Sequence, residues 1–134
     1  MIPLQEASLS SPKIIIIEDN PDLLNVFYLT LKRAGYHVIT ADNGSLGLQM
    51  IQHERPDMVV MDLTIPGLSG LELCSKLQES SEMRDTPIVI LTGASLSQAR
   101  SVLFETGANI VLFLQKPVSP DRFLNQIQRV FANP

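Results

Sequence analysis

The chain has 134 residues, 45% of them hydrophobic, and a formal net charge of -4. That length holds one domain with a real core, and the composition excludes both a disordered chain and the basic face that direct nucleic-acid binding needs. No apolar run approaches the roughly 20 residues of a membrane span, no signal-peptide pattern opens the chain, and Cys74, the lone cysteine, has no partner for an internal disulfide; cytoplasmic residence is expected.

Residues 1–12, rich in Ser and Pro, read as a flexible lead-in. A first strand is predicted over Lys13–Glu18, built on Ile14-Ile15-Ile16-Ile17. Asn20-Pro21-Asp22 then opens a helix with a cap, a proline at the first helical position and an acid that complements the dipole. Its buried face is read as Leu23, Phe27, Leu31 and Ala34, with Gly35 as the stop. A short second strand follows at His37–Ala41, then a helix over about Ser45–His53 with Leu46, Met50 and Ile51 inward. Gly47 in that helix is expected to weaken it by about 1 kcal/mol relative to alanine. Asp57–Asp62 reads as the third strand. A turn-rich loop leads to Ser69, placed as the cap of a helix whose inward stripe is Leu71, Cys74 and Leu77. Cys74 on that stripe is a small buried thiol rather than a nucleophile. A fourth strand starts at Thr86-Pro87, a helix covers about Ser97–Thr106, and a fifth strand covers about Ile110–Leu114. Ser119-Pro120-Asp121 repeats the opening signal for a last helix that buries Phe123, Ile127, Val130 and Phe131. Short apolar runs alternating with amphipathic helices imply a doubly wound α/β fold, a parallel sheet covered on both faces.

The ends of the apolar runs carry the chemistry. Glu18-Asp19 ends the first, Asp62 the third, Thr92 the fourth, and Lys116 follows the fifth. In an open parallel sheet these ends share one rim, where ligands bind. If the first and third strands are neighbours, three carboxylates crowd together. Two unit charges roughly 4 Å apart repel by about 4 kcal/mol at an effective dielectric of 20. A hard divalent cation offsets this; magnesium is expected, and the carboxylates alone do not separate it from manganese. With a cation there, Asp62 can attack phosphorus as a carboxylate nucleophile, while Lys116 and Thr92 serve the phosphoryl oxygens. Each residue has a plainer alternative: strand-end acids as turn formers, Thr92 as a cap, Lys116 as a structural counter-ion of Asp62. The conjunction favours the phosphoryl site.

Ile17-Glu18-Asp19-Asn20, Met61-Asp62-Leu63-Thr64-Ile65-Pro66 with Gly70, Leu91-Thr92-Gly93 and Lys116-Pro117 occur in this order. Together they resemble the receiver domain of two-component response regulators, over about residues 13–132. The resemblance implies a five-stranded sheet in the order 2-1-3-4-5, a flavodoxin-like three-layer sandwich with its pocket between strands one and three. It implies Asp62 as phosphoacceptor and magnesium held by Asp19 and Asp62, by Glu18 through water, and by the backbone carbonyl of Thr64. Thr92 and Lys116 would bind the phosphoryl group, a cis bond would precede Pro117, and Phe113 would match the switch aromatic that responds to Thr92. The donor would be a histidine kinase or a histidine phosphotransfer protein. The output would be a downstream protein or output domain read through helix four, strand five and helix five, with a homodimer kept open. Ser97, Arg100, Ser101 and Phe104 share one side of helix four. Phe104 there is either an exposed anchor or tucked beneath strand five. The chain ends soon after the last helix, so a stand-alone regulator and a receiver cut from a larger protein are both consistent with its length.

One departure bears on the switch. The segment from Gly107 to Lys116 is about two residues longer than the family's usual spacing, and an even insertion preserves in–out alternation. Phe113 would then keep its side, with Val111 or Leu112 in that place under another register. Among rivals, a flavodoxin-type carrier needs a phosphate-cradling first loop, and here that loop is anionic with a proline. A toprim-type phosphotransferase or nuclease wants an Asp-x-Asp pair, which Asp62-Leu63-Thr64 lacks. A degenerate receiver used only for docking does not need the intact pocket.

Overall fold

The computed structural model describes residues 11–93 and 95–133. The elements are β1 (Lys13–Ile17), α1 (Pro21–Arg33), β2 (His37–Ala41), α2 (Gly44–Glu54), β3 (Met58–Asp62), α3 (Gly70–Glu79), β4 (Ile88–Thr92), α4 (Leu96–Phe104), β5 (Ile110–Gln115) and α5 (Pro120–Ala132). All pairings are parallel and the sheet order is β2-β1-β3-β4-β5, as expected. The expected lead-in falls mainly on residues 1–10, outside the described residues.

Strand alternation sorts the core into two layers. Ile15, Ile17, Val59, Met61, Ile88 and Ile90 face α2, α3 and α4, where Ile51, Leu73, Cys74, Leu77 and Leu103 meet them. Ile14, Ile16, Met58, Val60, Val89 and Leu91 face α1 and α5, against Phe27, Leu31, Phe123 and Ile127. Phe27 and Phe123 join those two helices with ring centroids 4.2 Å apart. Burial on both faces is why the central strands read as unbroken apolar runs.

Local signals start the helices. Asn20 Oδ1 accepts from the Leu23 N–H at 3.1 Å ahead of Pro21, and Ser119 Oγ accepts from the Arg122 N–H at 3.2 Å ahead of Pro120. Ser69 caps α3 by accepting from the Glu72 N–H, while its hydroxyl donates to the Glu72 carboxylate. The expected cap is therefore present, but the expected stripe needs correction. Leu73, Cys74 and Leu77 are buried, whereas Leu71 is exposed. Ala34, expected inside, is the exposed C-cap of α1. Gly47 is also better placed than its propensity suggests, since a Cβ there would overlap the end of the Ile17 side chain.

The long segment before Lys116 is accommodated within β5. Ile88 pairs with Ile110, but Val89 pairs with Leu112, so Val111 is a bulge. One extra residue is absorbed there, and strict alternation is broken rather than preserved by an even insertion. Ile110 and Phe113 lie on the α4 face, while Leu112 and Leu114 lie on the α5 face. Phe113, paired with Ile90, therefore occupies the α4 side, and neither Val111 nor Leu112 does.

Candidate functional site

β1 and β3 are paired in register, Ile17 opposite Met61. Their carboxyl ends therefore deliver Glu18, Asp19 and Asp62 to one crevice. This is where the connections diverge, to β2 on one side and toward β4 on the other. The surrounding backbone is fixed: the Glu18 N–H donates to the Ala41 carbonyl at 3.0 Å and the Lys116 N–H to the Thr92 carbonyl at 2.7 Å.

Glu18 and Asp62 are buried, at 1% and 5% exposure, and Asp19 is exposed. Lys116 spans the two buried acids. Its Nζ donates to Glu18 Oε1 at 2.6 Å and to Asp62 Oδ2 at 2.7 Å. Burial holds the Glu18 carboxyl above its ordinary value, although hydrogen bonds from Lys116 and from the Asn20 N–H pull the other way. Burial also pulls the Lys116 ammonium down, but its bonds to Asp62 and Glu18 outweigh this and leave it above its ordinary value. One oxygen of each of Glu18, Asp19 and Asp62 lies within 4.8 Å of the others. Three hard oxygen donors at that spacing fit a small divalent cation.

Asp62 has a further tether. Its Oδ1 accepts from the Thr64 N–H at 3.1 Å and from the Thr64 hydroxyl at 3.2 Å. Thr92 is buried at the adjacent strand end. Phe113 is half-buried on the α4 side, and the Arg100 guanidinium lies 5.2 Å from its ring centroid. Phe104 is 87% exposed, so it is not tucked beneath β5. Cys74 is buried, and burial pushes its thiol up to about 12, the behaviour of an inert core residue. The Lys116–Pro117 bond is cis.

The structure thus brings together Glu18, Asp19, Asp62, Thr64 and Lys116, with Thr92 beside them on the rim. Sequence reasoning missed two contacts. The sequence points to Glu18 only as a metal ligand, yet it is also a counter-ion of Lys116. It points to Thr64 only for its carbonyl, yet the Thr64 N–H and hydroxyl orient Asp62. The Asp-x-Thr spacing was the signal available for the second, since a Thr two residues after an Asp can close a local hydrogen-bonded turn.

Among the described residues, no helix is long and apolar enough to cross a membrane. The response regulator receiver domain family matches residues 14–128. The chain is 30% identical to the protein PilH of Pseudomonas aeruginosa over 120 residues, covering 90% of this chain and 98% of PilH. It is 33% identical to the alkaline phosphatase synthesis transcriptional regulatory protein PhoP of Bacillus subtilis, covering 81% of this chain and 43% of PhoP. The chain thus spans less than half the length of PhoP. The chemotaxis response regulator CheY4 of Vibrio cholerae superimposes with a TM-score of 0.83 at 29% identity, covering 90% of this chain and 99% of CheY4. The receiver domain of the sensor histidine kinase PA1611 of Pseudomonas aeruginosa, solved with magnesium in its active-site cleft, gives a TM-score of 0.78 at 27% identity, covering 90% of this chain and 97% of that one. With its sheet order, its acidic crevice and a match over most of its length, this chain belongs to the response regulator receiver domain family of two-component systems.

Proposed function

We propose that this domain accepts a phosphoryl group on Asp62 from a phosphohistidine donor, a histidine kinase or a histidine phosphotransfer protein. The observation that supports it most is the Lys116 ammonium held between Glu18 and Asp62 at 2.6 and 2.7 Å, with Asp19 beside them. Asp19, Asp62 and the Thr64 carbonyl would hold Mg2+, with Glu18 reaching it through water; Mn2+ suits the same donors. When bound, the cation supplies positive charge to a site that Lys116 alone leaves net negative.

In the transfer, an Asp62 carboxylate oxygen attacks phosphorus and forms the new O–P bond. The donor's P–N bond breaks, and its imidazole nitrogen leaves with the electron pair. Thr64 fixes the Asp62 carboxylate through Oδ1, which holds the other oxygen, Oδ2, toward Lys116. Lys116 is a mobile cation already in contact with that oxygen, ready to follow negative charge onto the phosphoryl group. Thr92 offers a hydroxyl from the neighbouring strand.

Phosphate on Asp62 would favour one arrangement of β4, α4 and β5, with Thr92 and Phe113 as the coupled residues. The shift is limited to the difference in phosphate interaction between the two arrangements. The readout face would be α4, β5 and α5, offered to a downstream protein, an output domain or a second copy rather than to nucleic acid or membrane. The setting is cytoplasmic, and the protein acts as a switch rather than as an enzyme on other molecules. Incubation with acetyl phosphate and Mg2+ should add one phosphate, located on Asp62 by peptide mapping. No uptake, or uptake that persists in excess EDTA, would defeat the proposal.

A further inference from the structure

The loop over residues 63–69, between β3 and α3, carries Thr64, whose N–H and hydroxyl hold Asp62. Its other side is held by α2. Gly44, the first residue of α2, donates its N–H to the Pro66 carbonyl at 3.0 Å. A Cβ on Gly44 would overlap the carbonyl oxygen of Leu68 and lie 2.7 Å from its carbonyl carbon and 3.0 Å from its Cβ. Those atoms are backbone and the root of a side chain, so they cannot swing aside as a flexible tip does. Gly44 is buried at the first position of α2, where helix formation sets no requirement for glycine. Helix formation therefore does not account for a glycine here; the close approach does. The rest of the loop is pinned too. Ile65 is buried in the core and Leu68 packs against it. Gly67, at φ +77°, turns the chain past the Asn43 and Ser45 side chains.

We propose that Gly44 is a positioning residue for the phosphoryl pocket. The space left by its missing side chain seats the Leu68 carbonyl, and the seated loop holds Thr64 against Asp62. Gly44 touches neither Asp62 nor a bound cation; it acts through the loop. The inference rests on the reading of Asp62 as phosphoacceptor and Thr64 as a metal ligand. It adds that the start of α2 governs that pocket.

The test compares the wild type with Gly44→Ala, Asn43→Ala and Gly47→Ala. Asn43→Ala removes the α2 cap, whose Oδ1 accepts from the Leu46 N–H at 2.8 Å, and adds no atoms against the loop. Gly47→Ala presses on the flexible end of Ile17 from the same helix, and so controls for general destabilisation. Two quantities are read: solvent exchange of the Thr64 amide in metal-free protein by NMR, and Mg2+ affinity by titration calorimetry. Gly44→Ala should speed Thr64 exchange about fivefold or more and weaken Mg2+ binding about tenfold. Asn43→Ala should move both in the same direction by less. Gly47→Ala should keep wild-type values whatever its melting midpoint. Wild-type values in Gly44→Ala overturn the proposal, and so do equal losses in Gly47→Ala. Should Gly44→Ala fail to fold, Asn43→Ala against Gly47→Ala decides on the same readouts. A wild type that binds no Mg2+ defeats the site reading instead, while Thr64 exchange still decides whether Gly44 sets the loop.

Discussion

The β1–β3 half and the α4–β5 flank belong to one sheet but are built to different standards. Ile14–Ile17 and all of β3 are buried, and their pairing is unbroken. β5 is mostly half-buried or exposed and carries the bulge at Val111. α1, α2, α3 and α5 each begin with a side-chain cap, whereas α4 has no side-chain cap hydrogen bond at Ser95. α4 also exposes Val102 and Phe104. The difference teaches where spacing matters. The three acids that crowd one another are mounted on the rigid half, and Lys116 reaches two of them from the end of β5, past the bulge, where pairing with β4 is regular again. The segment that would change arrangement sits on the loosely held flank, as low-stability regions that move in regulation generally do.

Several measurements can break that comparison or sharpen it. The largest effect belongs to Asp62→Asn, which should abolish phosphate uptake while far-UV circular dichroism stays unchanged; phosphate found on another residue would remove the chemistry from the rigid half. Phe123→Ala, which empties a buried site facing Phe27, should cost about 3–5 kcal/mol in urea unfolding. Phe104→Ala on the flank should stay within about 0.5 kcal/mol, and equal losses would erase the contrast. Native-state hydrogen exchange should show α4 amides opening about a hundredfold more often than those of β1 and β3. Uniform protection would mean that the flank is not a separate cooperative unit. Lys116→Met leaves two buried carboxylates without their cation and should lower metal-free stability by about 2 kcal/mol, with added Mg2+ recovering part of the loss. The smallest effect is a slight rise in the EDTA melting midpoint for Asp19→Asn, because Asp19 is exposed yet adds to the crowded charge; a lower midpoint would argue against that crowding.

What the sequence disclosed follows the same division. Ile14–Ile17, Met58–Met61 and Ile88–Leu91 were legible as strands because burial on both faces leaves no polar interruption. The caps at Asn20 and Ser119 were legible because their hydrogen bonds are local. The strand-end polar residues were legible because each follows directly on an apolar run. The order of the strands came only with the family resemblance, since periodicity fixes faces and not neighbours. Contacts between distant segments were harder. The bond from Lys116 to Glu18 crosses 98 positions, and the seat for Leu68 at Gly44 depends on how a loop meets a helix. The inward place of Leu73 rather than Leu71 was hidden because both leucines lie within one turn of Cys74, and only packing against the sheet decides between them. The bulge at Val111 was missed because register belongs to a pair of strands and not to either alone.

That bulge has a consequence for how the chain tolerates change. Slack is taken up near the start of β5, so the positions after it stay locked: Phe113 opposite Ile90, Leu114 opposite Leu91, Gln115 opposite Thr92. An added or deleted residue before Val111 can be dissipated there, whereas the same change between Phe113 and Lys116 would carry the ammonium off the acids it bridges. Tolerance to insertion should therefore fall abruptly along a few residues of one strand, permissive at its beginning and strict at the end that faces the pocket.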